Sequence, residues 1–148
     1  LDDVAEAAFV RRALEVATVE ALAPRIDRGT LSRLERLLDY QAAAVKAKDI
    51  DEFYALDVRF HAALFDGLAM RRVAEVVDAS RAQLERARRL LLPIPTRNRN
   101  TLGEHRTILD ALGEQSAQKA AAAMGAHLDE GMSELRRYAA ARPDLFEA

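Results

Sequence analysis

The stretch Ile50-Asp51-Glu52-Phe53-Tyr54-Ala55-Leu56-Asp57-Val58-Arg59-Phe60-His61-Ala62-Ala63-Leu64 decides how this chain folds. Ile50, Phe53, Leu56, Phe60 and Leu64 recur at helical spacing and mark the buried stripe of an amphipathic helix. Asp57 and His61 lie within or beside that stripe, four apart and therefore on one face. A carboxylate aimed into a core costs roughly several kcal/mol unless it is paired or bound to a cation. The helix that builds the core thus also carries a chemical demand into it.

Working outward, the same periodicity predicts six helices and no strand. The first runs from about residue 3 to 23 and stops at Pro24, with Gly29 in the turn that follows. Thr30 is the expected N-cap of the second, which carries Leu31, Leu34, Leu38 and Val45. Asp49 should cap the third, which ends near Gly67. The fourth covers about 69–92, where Pro93-Ile94-Pro95 stops it. Residues 96–100 read as a polar connection, followed by a short fifth helix over about 101–112. Gly113 breaks it, Ser116 caps a sixth helix over about 117–141, and Pro143 marks a frayed tail. Short connections imply an all-α, antiparallel bundle of about six helices, one domain across residues 1–148.

Composition narrows the function. With 22 basic and 24 acidic residues the net charge is −2, too near neutral to point to nucleic-acid binding by this segment. The chain has no cysteine, which excludes thiolate metal sites and disulfides. No apolar run approaches the ~20 residues of a membrane span, so no membrane partner is expected. A DNA-binding or catalytic motif is not evident, and the site must be sought in the core.

Two more histidines sit where a helix should be apolar. His105 shares a face with Leu102, Leu109 and Leu112, and His127 with Ala120, Met124, Gly131 and Leu135. Taken singly, each histidine is more often a hydrogen-bonded core or boundary residue, and Asp57 could pair with Arg59 or a base on another helix. Taken together, one metal ion in a central cavity explains all four inward polar residues. Three imidazoles and a carboxylate suit zinc first, with nickel, iron or manganese as alternatives. Arg11, in line with Ala7, Leu14 and Thr18, and Arg81, between Val77 and Leu84, also fall on apolar faces. Each either snorkels to water or turns its forked guanidinium into the cavity, where it would suit a carboxylate.

Four segments carry a family resemblance. They are Val10-Arg11-Arg12-Ala13-Leu14-Glu15, Asp57-Val58-Arg59-Phe60-His61, Glu104-His105-Arg106-Thr107-Ile108-Leu109-Asp110-Ala111-Leu112 and Met124-Gly125-Ala126-His127-Leu128. In that order the chain resembles the FCD effector-binding domain of FadR-type GntR transcription regulators, in the shorter VanR-like form. The resemblance implies metal ligation by Asp57, His61, His105 and His127, and a small carboxylate effector met by Arg11, with weaker support for Arg81. It implies a cytoplasmic homodimer paired through helices, for which the first and fourth are the expected faces. It also implies operator binding through an N-terminal winged helix-turn-helix that is not in this chain, in keeping with a first residue, Leu1, that is not Met. No catalytic residue is expected. The alternative is a metal-dependent hydrolase-like bundle of the DinB type, whose ligands are also scattered. The sequence lacks the His-Asp dipeptide of one class of helical phosphohydrolase and the Glu-x-x-His of ferritin-like di-metal bundles.

Overall fold

A computed structural model describes residues 2–91 and 94–142. Pro93 and the tail around Pro143 lie outside the described residues. Six helices follow one another: α1 (Asp2–Leu22), α2 (Arg28–Ala47), α3 (Ile50–Asp66), α4 (Arg71–Leu91), α5 (Pro95–Gly113) and α6 (Ala117–Ala141). Among the described residues there is no strand, and no helix is long and apolar enough to cross a membrane.

The helix starts have local causes. Asp49 accepts a hydrogen bond from the Glu52 amide, and Ser116 accepts one from Lys119, as expected of N-caps. The α2 start differs from the sequence expectation. Asp27, not Thr30, is the cap, and its carboxylate accepts from the Thr30 amide at 2.6 Å. Thr30 is thus the third residue of the first turn. Pro24 does not end the chain's helical path at once, because a single 3-10 turn over Ala23–Arg25 accommodates it.

The larger difference is α5, which begins at Pro95 instead of near residue 101. Proline at the first helical position has no amide to leave unsatisfied, and its φ is already helical. Residues 96–100, expected to be a connection, therefore form the first turns of α5. This places Asn98 and Thr101 in the interior and Arg97 at its edge.

In the bundle α1 packs on α4 and α6, α2 on α3 and α5, and α5 on α6. The main core gathers Leu22, Leu34, Leu56, Phe60, Leu64, Ile108, Leu112 and Met124. Ile50, expected in the α3 stripe, lies at its exposed edge, while Phe53, Leu56, Phe60 and Leu64 are buried. A smaller group around Leu135, with Val4, Ile94 and Met132, closes the far end. Between these two apolar groups lies the polar interior.

Candidate metal centre and effector cavity

Asp57, His61, His105 and His127 are all buried and converge from α3, α5 and α6. One ligand atom from each lies within 4.8 Å of every other. Asp57 Oδ1 is 3.8 Å from His61 Nε2 and 3.4 Å from His105 Nε2. The rings of His61 and His127 stack with centroids 5.3 Å apart, and His105 meets His127 edge-on at 4.7 Å. Phe60 stacks on His105 with centroids 4.3 Å apart, so apolar packing fixes that ring.

Each imidazole is held from behind. His61 Nδ1 bonds Glu15, His105 Nδ1 lies 2.9 Å from Gln41 Oε1, and His127 Nδ1 lies 2.6 Å from Glu104 Oε2. An acceptor at Nδ1 keeps the proton there and turns the Nε2 lone pair toward the cluster, where that of His61 meets Arg11 Nη2 at 3.3 Å. This is the arrangement of a histidine poised to ligate, repeated three times. A hydrogen-bonded core histidine needs no such convergence. Three nitrogen donors with one carboxylate also fit the donor preferences of zinc and its neighbours.

Glu15, which the sequence reading passed over, is the hub of the charge network. Its carboxylate takes Arg11 Nε at 2.5 Å and His61 Nδ1, and Arg81 Nη2 stands 3.8 Å away. Burial alone would raise its pKa, yet Arg11, then His61, and finally Arg81 hold it well below the usual carboxylate range. Burial pushes His61 down to about 4, against the opposing pull of Glu15, so the ring is neutral at pH 7. Glu104 behaves like Glu15. Burial raises its pKa, but the His127 bond and Arg97 outweigh burial and lower it.

A stability consequence follows for metal-free protein. An unfolded histidine protonates near 6.5 and folded His61 only near 4, so between those values the unfolded state binds more protons. Stability should therefore fall as pH drops from about 6.5 to about 4, by on the order of 3 kcal/mol. The depressed pKa of Glu15 carries the same sign at still lower pH. Urea unfolding of chelator-stripped protein at pH 7 and pH 4.5 checks this, and a flat profile would contradict the buried neutral ring.

Beside the cluster opens a cavity of about 410 Å³. Arg11, Asp57 and His127 form its inner end, and Arg97, Asn98 and Thr101 of α5 form one wall. Arg11 does not snorkel. It is buried, and its Nη2 donates toward His61 Nε2 at 3.3 Å. Arg81 is buried too, and its Nη1 donates to the Val58 carbonyl at 3.3 Å. The described lining of the cavity includes Arg11 and not Arg81, which stands behind Glu15. Arg97, at the cavity wall, ion-pairs Glu104 at 3.0 Å and Glu134 at 2.7 Å, linking it to His127.

The chain is thus an all-helical bundle with a buried His/Asp cluster and an adjoining cavity. The FCD domain family's profile matches residues 6–130, and the chain belongs to that family, found in GntR-type transcription regulators. It is 34% identical over 143 residues to an uncharacterised HTH-type transcriptional regulator in an unstable DNA locus of Streptomyces ambofaciens, covering 97% of this chain and 60% of the relative. It is 26% identical over 143 residues to the HTH-type transcriptional repressor RspR of Escherichia coli K12, covering 97% and 63%. The chain thus spans 60% to 63% of the length of these curated relatives. Escherichia coli McbR/YncC superposes with a TM-score of 0.82 at 16% identity, over 90% of this chain and 67% of that one, which shows a shared fold.

Proposed function

We propose that this domain senses a small organic acid through a divalent metal held by Asp57, His61, His105 and His127. The observation that carries the reading is the triple support behind the histidines. Glu15, Gln41 and Glu104 each fix one ring at Nδ1, beside a cavity whose inner end holds Arg11. When bound, the metal supplies a Lewis acid that anchors a carboxylate oxygen. Zinc suits this donor set, with nickel, iron or manganese as alternatives. Arg11 neutralises the acid's remaining charge, and Arg81 sustains that role by sharing Glu15 with it.

An acid in this cavity touches α1, α3, α5 and α6 together, so it favours one helix arrangement over others. In the full-length regulator that bias would reach an N-terminal winged helix-turn-helix on operator DNA, in the cytoplasm. No reaction is assigned to the domain. Thermal shift with and without chelator tests the reading. An acid at ~100 times its dissociation constant should add about 2.7 kcal/mol to metal-loaded protein. Arg11→Ala should weaken that effect while keeping the metal. Equal stabilisation of stripped and loaded protein would make the metal structural.

The domain should pair with a second copy through α1 and α4, where Val76 stands exposed on α4. Light scattering should report about twice the 16.4 kDa of one chain. A monomer at micromolar concentration would refute the pairing.

A further inference from the structure

Beyond its charged inner end the cavity is largely apolar. Leu84 of α4 and Met132 and Leu135 of α6 face it, with Phe53 deeper in and Phe9 of α1 at the rim. Leu84 and Leu135 are buried, yet both border the open volume of the cavity. Water against such a wall finds few of the two to four polar partners it needs. Phe9 is 73% exposed, the most exposed large apolar side chain described, and it lines the cavity mouth. At about 30 Å³ per water-sized atom, 410 Å³ holds on the order of ten heavy atoms, far more than a bare carboxylate head.

The polar groups are distributed unevenly. The described cations deep in the site are already matched: Arg11 and Arg81 by Glu15, and Arg97 by Glu104 and Glu134. At the mouth Arg12 is held by both oxygens of Asp129, at 2.7 and 2.9 Å. Arg136 also lines the cavity but is exposed to solvent, so among the described side chains Arg11, beside the metal cluster, is the buried cation placed to meet an acid head, and the apolar wall carries none for a second carboxylate.

We infer that the effector is a monocarboxylate with an apolar body, its acid head at Arg11 and its body against Leu84, Met132, Leu135 and Phe9. This rests on the acid-sensing reading above and adds the class of acid. Asn98 and Thr101 would face polar substituents along one edge of that body. Phe9 then acts as a rim that the bound body covers, and sets specificity without touching the head.

Three 2-hydroxy acids that differ only at C3 provide the test: lactate, 3-phenyllactate and malate, titrated calorimetrically into zinc-loaded protein. Phenyllactate should bind at least ~10-fold tighter than lactate, and malate no tighter than lactate. Phe9→Ser, at an exposed position, should weaken phenyllactate several-fold and lactate by much less, narrowing the preference between them. Equal binding of lactate and phenyllactate, a preference for malate, or a phenyllactate affinity indifferent to Phe9→Ser overturns the inference and leaves acid sensing standing. Failure of all three acids to bind overturns both. Binding of phenyllactate that persists unchanged after chelation, with the preference intact, removes the metal anchor and upholds the apolar body.

Discussion

Replacing Glu15 with alanine is expected to destabilise the domain by about 3–5 kcal/mol, the cost of removing one partner from a buried charge pair. Three groups depend on this carboxylate. Arg11 and His61 bond it directly, and Arg81 approaches it from α4. All of them are buried, so the variant would take a negative charge away from beside two interior guanidinium groups, Arg11 losing its direct ion pair. It would also free the His61 ring to turn or to change tautomer. Urea unfolding of the chelator-stripped variant gives the loss directly, and a change under 1 kcal/mol would show that Glu15 is incidental. Glu15→Gln keeps an acceptor for His61 but not the charge, so it should be destabilised while retaining more metal than Glu15→Ala.

His105→Ala should lose most of the bound metal, against near-stoichiometric content in the parent protein. His105 is fully buried, stacked on Phe60 and oriented by Gln41, and its Nε2 lies 3.4 Å from Asp57 Oδ1. Losing one of the four proposed ligands would leave Asp57 and two imidazoles, and removing a group that only orients a ligand already costs metal affinity roughly 10-fold to 100-fold. Elemental analysis of untagged protein reads the difference, with unfolding curves to show that the variant is folded. Equal metal in parent and variant would remove His105 from the ligand set. Gln41→Leu should lower affinity more mildly, because the ligand stays and only its orientation is lost.

Much of this architecture is legible in the sequence because burial and period coincide. The stripe of α3 names Phe53, Leu56, Phe60 and Leu64 as core, and Asp57 and His61 stand out only against that stripe. His105 and His127 are found by the same contrast on α5 and α6. The rule could have found Gln41 too, a polar residue between the buried Leu37, Leu38 and Ala44, and Glu15, one turn from Arg11 on an inward face. Glu15 blends into a chain with 24 acidic residues, and a lone glutamine on an apolar face draws less notice than an imidazole.

The start of α5 differs from the sequence expectation for a physical reason. Proline ends a helix from inside but opens one at its first position, and Pro93-Ile94-Pro95 offers both readings at once. Taking it as a stop hid Arg97, Asn98 and Thr101, the polar wall of the cavity. Gly67 and Gly113 announce the ends of α3 and α5, but the left-handed positions at the helix exits are mute. Lys48, Ala69 and Gln115 adopt left-handed φ values of 57°, 53° and 55°, where glycine would have announced the turn. Which residues meet across helices, such as Glu104 with Arg97 and His127, depends on relative rotation that periodicity does not supply.

X-ray absorption on zinc-loaded protein tests the central claim most directly, recorded before and after saturation with an acid that binds. The account predicts a shell of three imidazole nitrogens and carboxylate oxygen at about 2.0–2.2 Å, with the oxygen contribution altered when the acid is added. A shell without the three imidazoles, or one that the bound acid leaves unchanged, would contradict sensing through the metal.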